Sequence, residues 1–225
     1  QKMEKKVLDD ADAVVAVSPL VQHEFQAMTR TPVELITNGY DECDFPEGRD
    51  KDAAGGEDKD FIITHTGLFA ADGNPTVLWD VLSEKSRKDE DFRKALKIKL
   101  IGKTDAQVLE SIEEAGLKEN LEDLGYQKHS VAVQAQRKAS LLILPLRKEP
   151  EYKAVLPGKL FEYLASCRPV MGIGQPDGAM SMILDKTNTG AVYDWEDRIS
   201  MKNYIDDCWK AHMSGNLIIR DGDIS

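Results

Sequence analysis

Pro157, Gly158, Lys159 and Glu162 combine residue types and spacing in a way that could do chemistry. Pro157 fits the first position of a helix, where its missing N–H costs nothing. Gly158 and Lys159 follow, so the free amides of a helix start would sit beside a cation, and a diphosphate is the natural occupant of such an anion site. Glu162 lies three residues after Lys159 on the same helix face. A carboxylate there can accept two hydrogen bonds from the vicinal hydroxyls of a ribose. The same residues also read as an ordinary capped helix with an exposed ion pair, an arrangement that is common and contributes little.

Other patterns carry less. Gly172-Ile-Gly174-Gln-Pro-Asp-Gly178 imitates a dinucleotide fingerprint, but its third glycine comes one residue late and Pro176 interrupts the turn. It reads as a plain loop after a strand. Asp10-Ala-Asp12, Asp89-Glu-Asp91 and Asp221-Gly-Asp223 have the form of metal-binding acidic pairs. In so acidic a chain they are expected to be solvated surface. The histidines His23, His65, His129 and His212 and the cysteines Cys43, Cys167 and Cys208 are scattered, so no metal site is expected. Without a disulfide framework the chemistry suits a reducing cytoplasm.

Elements that would position these residues follow in alternation. Ala11–Ser18 reads as a buried strand, Pro19–Met28 as a helix, and Val33–Gly39 as a strand closing on an Asn-Gly turn. Glu47–Asp60 is polar and reads as an exposed loop. Strands are then predicted at Phe61–Thr66, Leu96–Ile101, Leu121–Tyr126, Ser140–Leu144, Pro169–Ile173 and Gly190–Tyr193. Helices fall between them, one opened by a capping box of Thr104 and Gln107, and a last one runs over Ile199–His212 with Tyr204, Ile205, Cys208 and Trp209 as packing positions. Alternation at this spacing predicts an α/β fold with a parallel sheet flanked by helices. Ligands of such sheets bind at the carboxyl ends of the strands, which here means around Gly67, Gly102, Tyr126, residues 145–159 and Gly174.

Composition narrows the partners. The chain has 225 residues, is 41% apolar and 31% charged, and carries 40 acidic against 29 basic residues for a net charge of −11. That balance excludes nucleic acid as a general partner, because a phosphate backbone needs a basic footprint. It leaves room for a small phosphorylated ligand. No apolar run approaches the ~20 residues of a membrane span. The opening Gln1-Lys2-Met3 and the charged helical pattern after it read as the middle of a longer protein.

The segment Glu149–Val170, EPEYKAVLPGKLFEYLASCRPV, resembles the signature of the retaining, group 1 glycosyltransferases of GT-B fold. The resemblance extends over nearly the whole chain. Val14–Ser18, then Ile36-Thr-Asn-Gly-Tyr40, are similar to that family's last amino-terminal-domain strand and the crossover into its carboxyl-terminal domain, His65-Thr-Gly-Leu-Phe69 with Asn74-Pro75 to its first-strand glycine loop, and Leu100-Ile-Gly102 and Leu124-Gly-Tyr126 to its next strands. It implies a Rossmann-like domain, one half of a GT-B fold. Residues 1–30 would be a remnant of the acceptor domain and residues 31–225 the nucleotide-sugar-binding domain. It implies transfer of a sugar from a nucleotide diphosphate donor to a saccharide or lipid-linked acceptor, as in surface polysaccharide synthesis. Configuration would be retained, with no metal or other cofactor. Gly67, Lys103, Tyr126, Pro157, Gly158, Lys159 and Glu162 would bind the donor, and Lys159 and Glu151 would serve catalysis.

Two positions depart from the family pattern. Ala154 stands where a glutamate is usual, which leaves Glu149 or Glu151 to replace it. Gly73 stands where an arginine often clamps the phosphates, so Lys159, Lys103 or Arg147 would carry the leaving-group charge. The full-length protein would be cytoplasmic, with peripheral association with a membrane open to it, and this chain alone inactive. Two other readings stay open: a nucleotide-sugar epimerase of the same fold, and a non-catalytic nucleotide-binding module.

Overall fold

A computed structural model describes residues 2–45 and 59–215. Its centre is a six-stranded sheet in the order β5-β4-β3-β6-β7-β8, in which every pairing is parallel. The strands are β3 (Phe61–Thr66), β4 (Leu96–Ile101), β5 (Leu121–Gly125), β6 (Leu141–Pro145), β7 (Val170–Ile173) and β8 (Gly190–Tyr193). Between them run α3 (Thr76–Lys88), α4 (Glu90–Ala95), α5 (Ala106–Glu114), α6 (His129–Lys138), α7 (Lys159–Ala165) and α8 (Ala179–Thr187), and α9 (Arg198–Met213) closes the described chain. The parallel α/β sheet expected from the alternation is the one found.

Helices cover both faces of the sheet, so β6 and β7 are apolar throughout and β3 is buried even at Thr64, His65 and Thr66, while β4 alternates lysines with apolar residues. All six residues of β3 are buried, as are Leu141 to Leu144 of β6. The edge strand β5 is the exception, and none of its residues is fully buried. The packing positions of α9 hold: Ile205, Cys208 and Trp209 are buried, and the Trp209 ring meets Phe61 and Phe92 edge-on. In β7 a side chain on Gly172 would strike Met180 of α8 and Val192 of β8, so this glycine of the imitation fingerprint lets a helix and a strand approach closely.

Before the sheet lies a smaller unit: α1 (Lys2–Asp10), β1 (Val14–Ala16), α2 (Pro19–Met28) and β2 (Val33–Leu35), with β1 and β2 paired in parallel as a two-stranded sheet. Here the sequence reading needs correction. The strand predicted over Ala11–Ser18 spans three residues and is not buried as a whole, since Val15 is 57% exposed and Val17 47%. Two strands with one covered face cannot bury both sides of a valine-rich run. The segment after β2 carries no turn at Asn38-Gly39 and continues to a short 3-10 turn at Glu42–Asp44.

Caps supply further corrections. Asp105, not Thr104, caps α5, its carboxylate accepting from the Gln107 amide, because Thr104 is taken up by a bridge to Phe69. Asp89 is no solvated surface residue: it caps the short α4 through the Phe92 amide and accepts from the Trp209 indole at 3.1 Å. Asp10 and Asp12 are exposed as expected, while Asp221-Gly-Asp223 and most of the 47–60 loop lie outside the described residues.

Candidate functional site

Strand order decides where a ligand can enter. From β3 the chain moves outward through β4 and β5, then returns to the other side of β3 as β6. The connections above β3 and β6 therefore diverge, and the crevice between them is the topological switch point at which open α/β sheets bind ligands. Gly67 leaves β3 there, and the 146–158 segment leading to α7 leaves β6 there.

Gly67 and Gly102 shape the floor. Both have positive φ, +101° and +127°, a region in which glycine carries no penalty. The Gly67 amide donates to the Ile101 carbonyl at 2.6 Å and the Gly102 amide to the Gly125 carbonyl at 2.8 Å. A side chain on Gly102 would run into the Gly67 backbone. The turns after β3, β4 and β5 are thus stacked, and Phe69 and Thr104 extend the ladder beyond them.

Lys159 reaches into this floor from the start of α7. Its Nζ lies 2.6 Å from where a Cβ on Gly67 would stand, and 3.4 Å from the Leu68 carbonyl to which it donates. Burial lowers its pKa from 10.5 to about 8, with Glu162 acting in the opposite sense. Lys159 is therefore an incompletely compensated charge, poised to gain from an anion. Close by, His65 is buried, with Nδ1 3.1 Å from the Ile143 carbonyl and Nε2 3.3 Å from the Leu68 carbonyl. Desolvation, and after it the Lys159 charge, lower its pKa to about 3. A neutral ring has one N–H, so only one of the two contacts is a donated hydrogen bond.

Glu162, half-buried, is held from α6. The Gln136 amide donates to its Oε2 at 2.8 Å and to the Thr66 hydroxyl at 3.1 Å. The Thr66 hydroxyl donates in turn to the Tyr163 phenol, which also accepts from the Thr66 amide at 2.9 Å. Burial pushes the Tyr163 phenol up to about 12, so it stays protonated. At the rim, His129 pairs with Asp44 at 2.7 Å. This contact, with Glu162 contributing less, raises the His129 pKa.

Among the expected site residues, Gly67, Lys159 and Glu162 come together. Gly158 precedes the helix with nothing within 4 Å of a notional Cβ. Pro157 is not at the first helical position: α7 begins at Lys159 with Gly158 as its cap, and the Pro157 carbonyl accepts from Leu160. Tyr126 follows Gly125 at the edge of the floor with its side chain 92% exposed. Lys103 is exposed beside Gly102. Glu151 sits exposed on a 3-10 turn, Pro150–Ala154, and among the described residues makes no ion pair or hydrogen bond with Lys159 or Glu162. Gly73 is buried with a notional Cβ 2.9 Å from the Leu146 carbonyl, so no arginine fits there. Its neighbour Arg147 pairs with Asp72 at 3.2 Å and lies over the Tyr152 ring.

Gln136, Thr66 and Tyr163 were not singled out in the sequence. One signal existed for Gln136: it stands three residues after Val133 on the face of α6 that the core covers, a polar residue in an apolar position. Among the described residues no three or more His, Cys, Asp or Glu gather as a metal site, and no helix is long and apolar enough to cross a membrane.

No protein-family model matches the sequence, and no curated protein matches it. Solved structures do. Sucrose-phosphate synthase from Thermosynechococcus elongatus is similar with a TM-score of 0.73 at 18% identity, over 98% of this chain and 55% of that one. HepE of Anabaena, solved in complex with UDP, gives 0.68 at 18% identity, over 94% of this chain and 57% of that one. A glycosyltransferase from Rickettsia africae gives 0.69 at 17% identity, over 97% and 60%. The Rossmann-like fold that the resemblance implies is the fold observed, and it is shared with part of each of these neighbours. The chain spans less than two thirds of the length of each of these neighbours.

Proposed function

We propose that this chain is the donor-binding half of a glycosyltransferase that moves a sugar from a nucleoside diphosphate to an acceptor. The carrying observation is the convergence of Lys159, Glu162 and the Gly67 turn at the switch point of the sheet. Lys159 and the amides around the start of α7 would meet the diphosphate, and Glu162 the ribose. Departure of the diphosphate is then stabilised by fixed dipoles and a lysine, with no metal needed. Residues 31–225 would form this domain and residues 1–30 would be a remnant of the acceptor domain and the interdomain connection, with β2 of the former range paired to β1 of the latter. HepE has been solved with UDP-glucose as well as UDP, which supports a nucleotide-sugar donor for this site too.

Finer assignments rest on the family resemblance. They are retention at the anomeric carbon, a saccharide or lipid-linked acceptor in surface polysaccharide synthesis, and a cytoplasmic enzyme with peripheral membrane association. Glu151 would assist catalysis only if the segment from residue 149 to 154 moves toward Lys159 when donor binds. Arg147 would reach the phosphates by leaving Asp72. A second reading, nucleotide binding without transfer, draws on Ala154, the buried Gly73 and the detached Glu151.

Calorimetry tests the core of the proposal. UDP should bind better than uridine, and Lys159→Ala should weaken UDP by about 1–3 kcal/mol, the size of a charge-assisted hydrogen bond. Equal affinity for UDP and uridine in the unmutated chain overturns it. Product analysis of the full-length protein with donor separates transfer from epimerisation and from binding alone.

A further inference from the structure

Gln136 is a fully buried amide on α6 whose nitrogen serves two acceptors and whose oxygen serves none. Its orientation follows from its partners, because an ionised carboxylate can only accept and must face the amide nitrogen. That leaves Oε1 buried without a hydrogen bond, an arrangement that destabilises a fold. An apolar side chain of the same size would fill the space beside Val133 without that cost. The amide nevertheless clamps Glu162 Oε2 from one side while Thr66 and Tyr163 anchor the amide from the other.

We propose that Gln136 is a positioning residue for ribose recognition: it fixes the Glu162 carboxylate so that its remaining acceptor sites face the vicinal hydroxyls of the nucleotide. This rests on the reading of Glu162 as the ribose acceptor. A free glutamate three residues into a helix samples several rotamers, and ordering it at the moment of binding carries an entropic cost. With Gln136 in place that cost is met in the unliganded protein. The preference for ribose over 2′-deoxyribose then depends on Gln136 although Gln136 touches no ligand.

The test compares UDP with 2′-deoxy-UDP by calorimetry in the full chain, for the unmutated protein, Glu162→Gln, Gln136→Met and the double variant. The unmutated protein should prefer UDP, and Gln136→Met should lower that preference at least fivefold while leaving affinity for inorganic pyrophosphate unchanged. In the double variant Gln136→Met should add nothing to Glu162→Gln. Gln136→Asn keeps the amide but withdraws it by one methylene, and it should lose the preference too. It serves as the second variant if the methionine protein does not fold. An unmutated protein that binds both nucleotides equally, or a preference that Glu162→Gln leaves intact, overturns the ribose reading and this inference with it. A preference that disappears in Glu162→Gln yet survives in both Gln136 variants overturns this inference alone.

Discussion

Lys159 is a charge in a place that disfavours charge, and its pKa of about 8 measures the imbalance. A diphosphate beside Nζ restores the balance and pulls the pKa back up. Binding should therefore take up a proton when the pH lies above about 8. UDP affinity should fall roughly tenfold as pH rises from about 7.5 to about 9.5, and Lys159→Ala should be flat over that range. A pH-independent affinity in the unmutated protein counts against Lys159 as the phosphate contact. His65 bears on stability rather than on binding. Its folded pKa of about 3 lies below its ordinary value of 6.5, so the unfolded chain binds the extra proton between those two values. The stability is fully present above pH 6.5 and is lost as pH falls toward 3. The loss is on the order of a few kcal/mol at about 1.4 per pKa unit. Urea titrations at neutral and acid pH should show a smaller acid loss in His65→Gln than in the unmutated protein. Equal losses would mean that another group controls acid unfolding.

At the scale of elements, the turns after β3 and β4 depend on two glycines that cannot be exchanged. Gly102→Ala places a methyl group against the Gly67 backbone at a φ of +127°. Thermal unfolding should register a loss of about 2–4 kcal/mol, and UDP binding should fail in the protein that remains folded. Gly158 makes the contrast, since it is helical and its notional Cβ meets nothing. Gly158→Ala should gain about 0.4–1 kcal/mol of stability yet weaken UDP, if phosphate approaches the backbone there. The strands and most helices of the sheet domain were legible because β3, β6 and β7 are largely apolar, β4 alternates lysines with apolar residues, and each following helix has room for its own period. The six residues of α4 were not, since six residues hold too few turns to display a period. Thr104 was misread for another reason: a capping pattern is local, whereas its bridge to Phe69 arises only once β3 and β4 lie side by side. Lys159 and Glu162 were legible from spacing. Gln136, Thr66 and Tyr163 were not, because their network joins three elements far apart in sequence.

Among the described residues, the small two-stranded unit leaves several apolar side chains exposed. Val15, Val17, Leu35 and Ile36 of the two-stranded unit are 57%, 47%, 38% and 60% exposed, a run of apolar side chains on a small sheet. The chain covers 55–60% of the lengths of the neighbours reported above, and in the proposed two-lobed enzyme these side chains would face the second lobe. The donor half of the proposed site, Gly67, Lys159 and Glu162, lies within this chain, and the acceptor site would lie mainly on the second lobe. Glycosyl transfer in a two-lobed enzyme needs closure that excludes water and aligns donor with acceptor, and such positioning supplies up to about 7–11 kcal/mol of the barrier reduction. These 225 residues should therefore bind UDP but transfer no sugar. Incubating them with UDP-glucose and a panel of saccharide and lipid-linked acceptors, beside the full-length protein, checks this by product analysis. Turnover by the 225 residues comparable with the full-length protein would show that the acceptor site lies within this chain. The exposed valines would then need a different explanation, and the search for catalytic groups would return to the segment between β6 and α7, where Glu149, Glu151 and Arg147 stand within this chain.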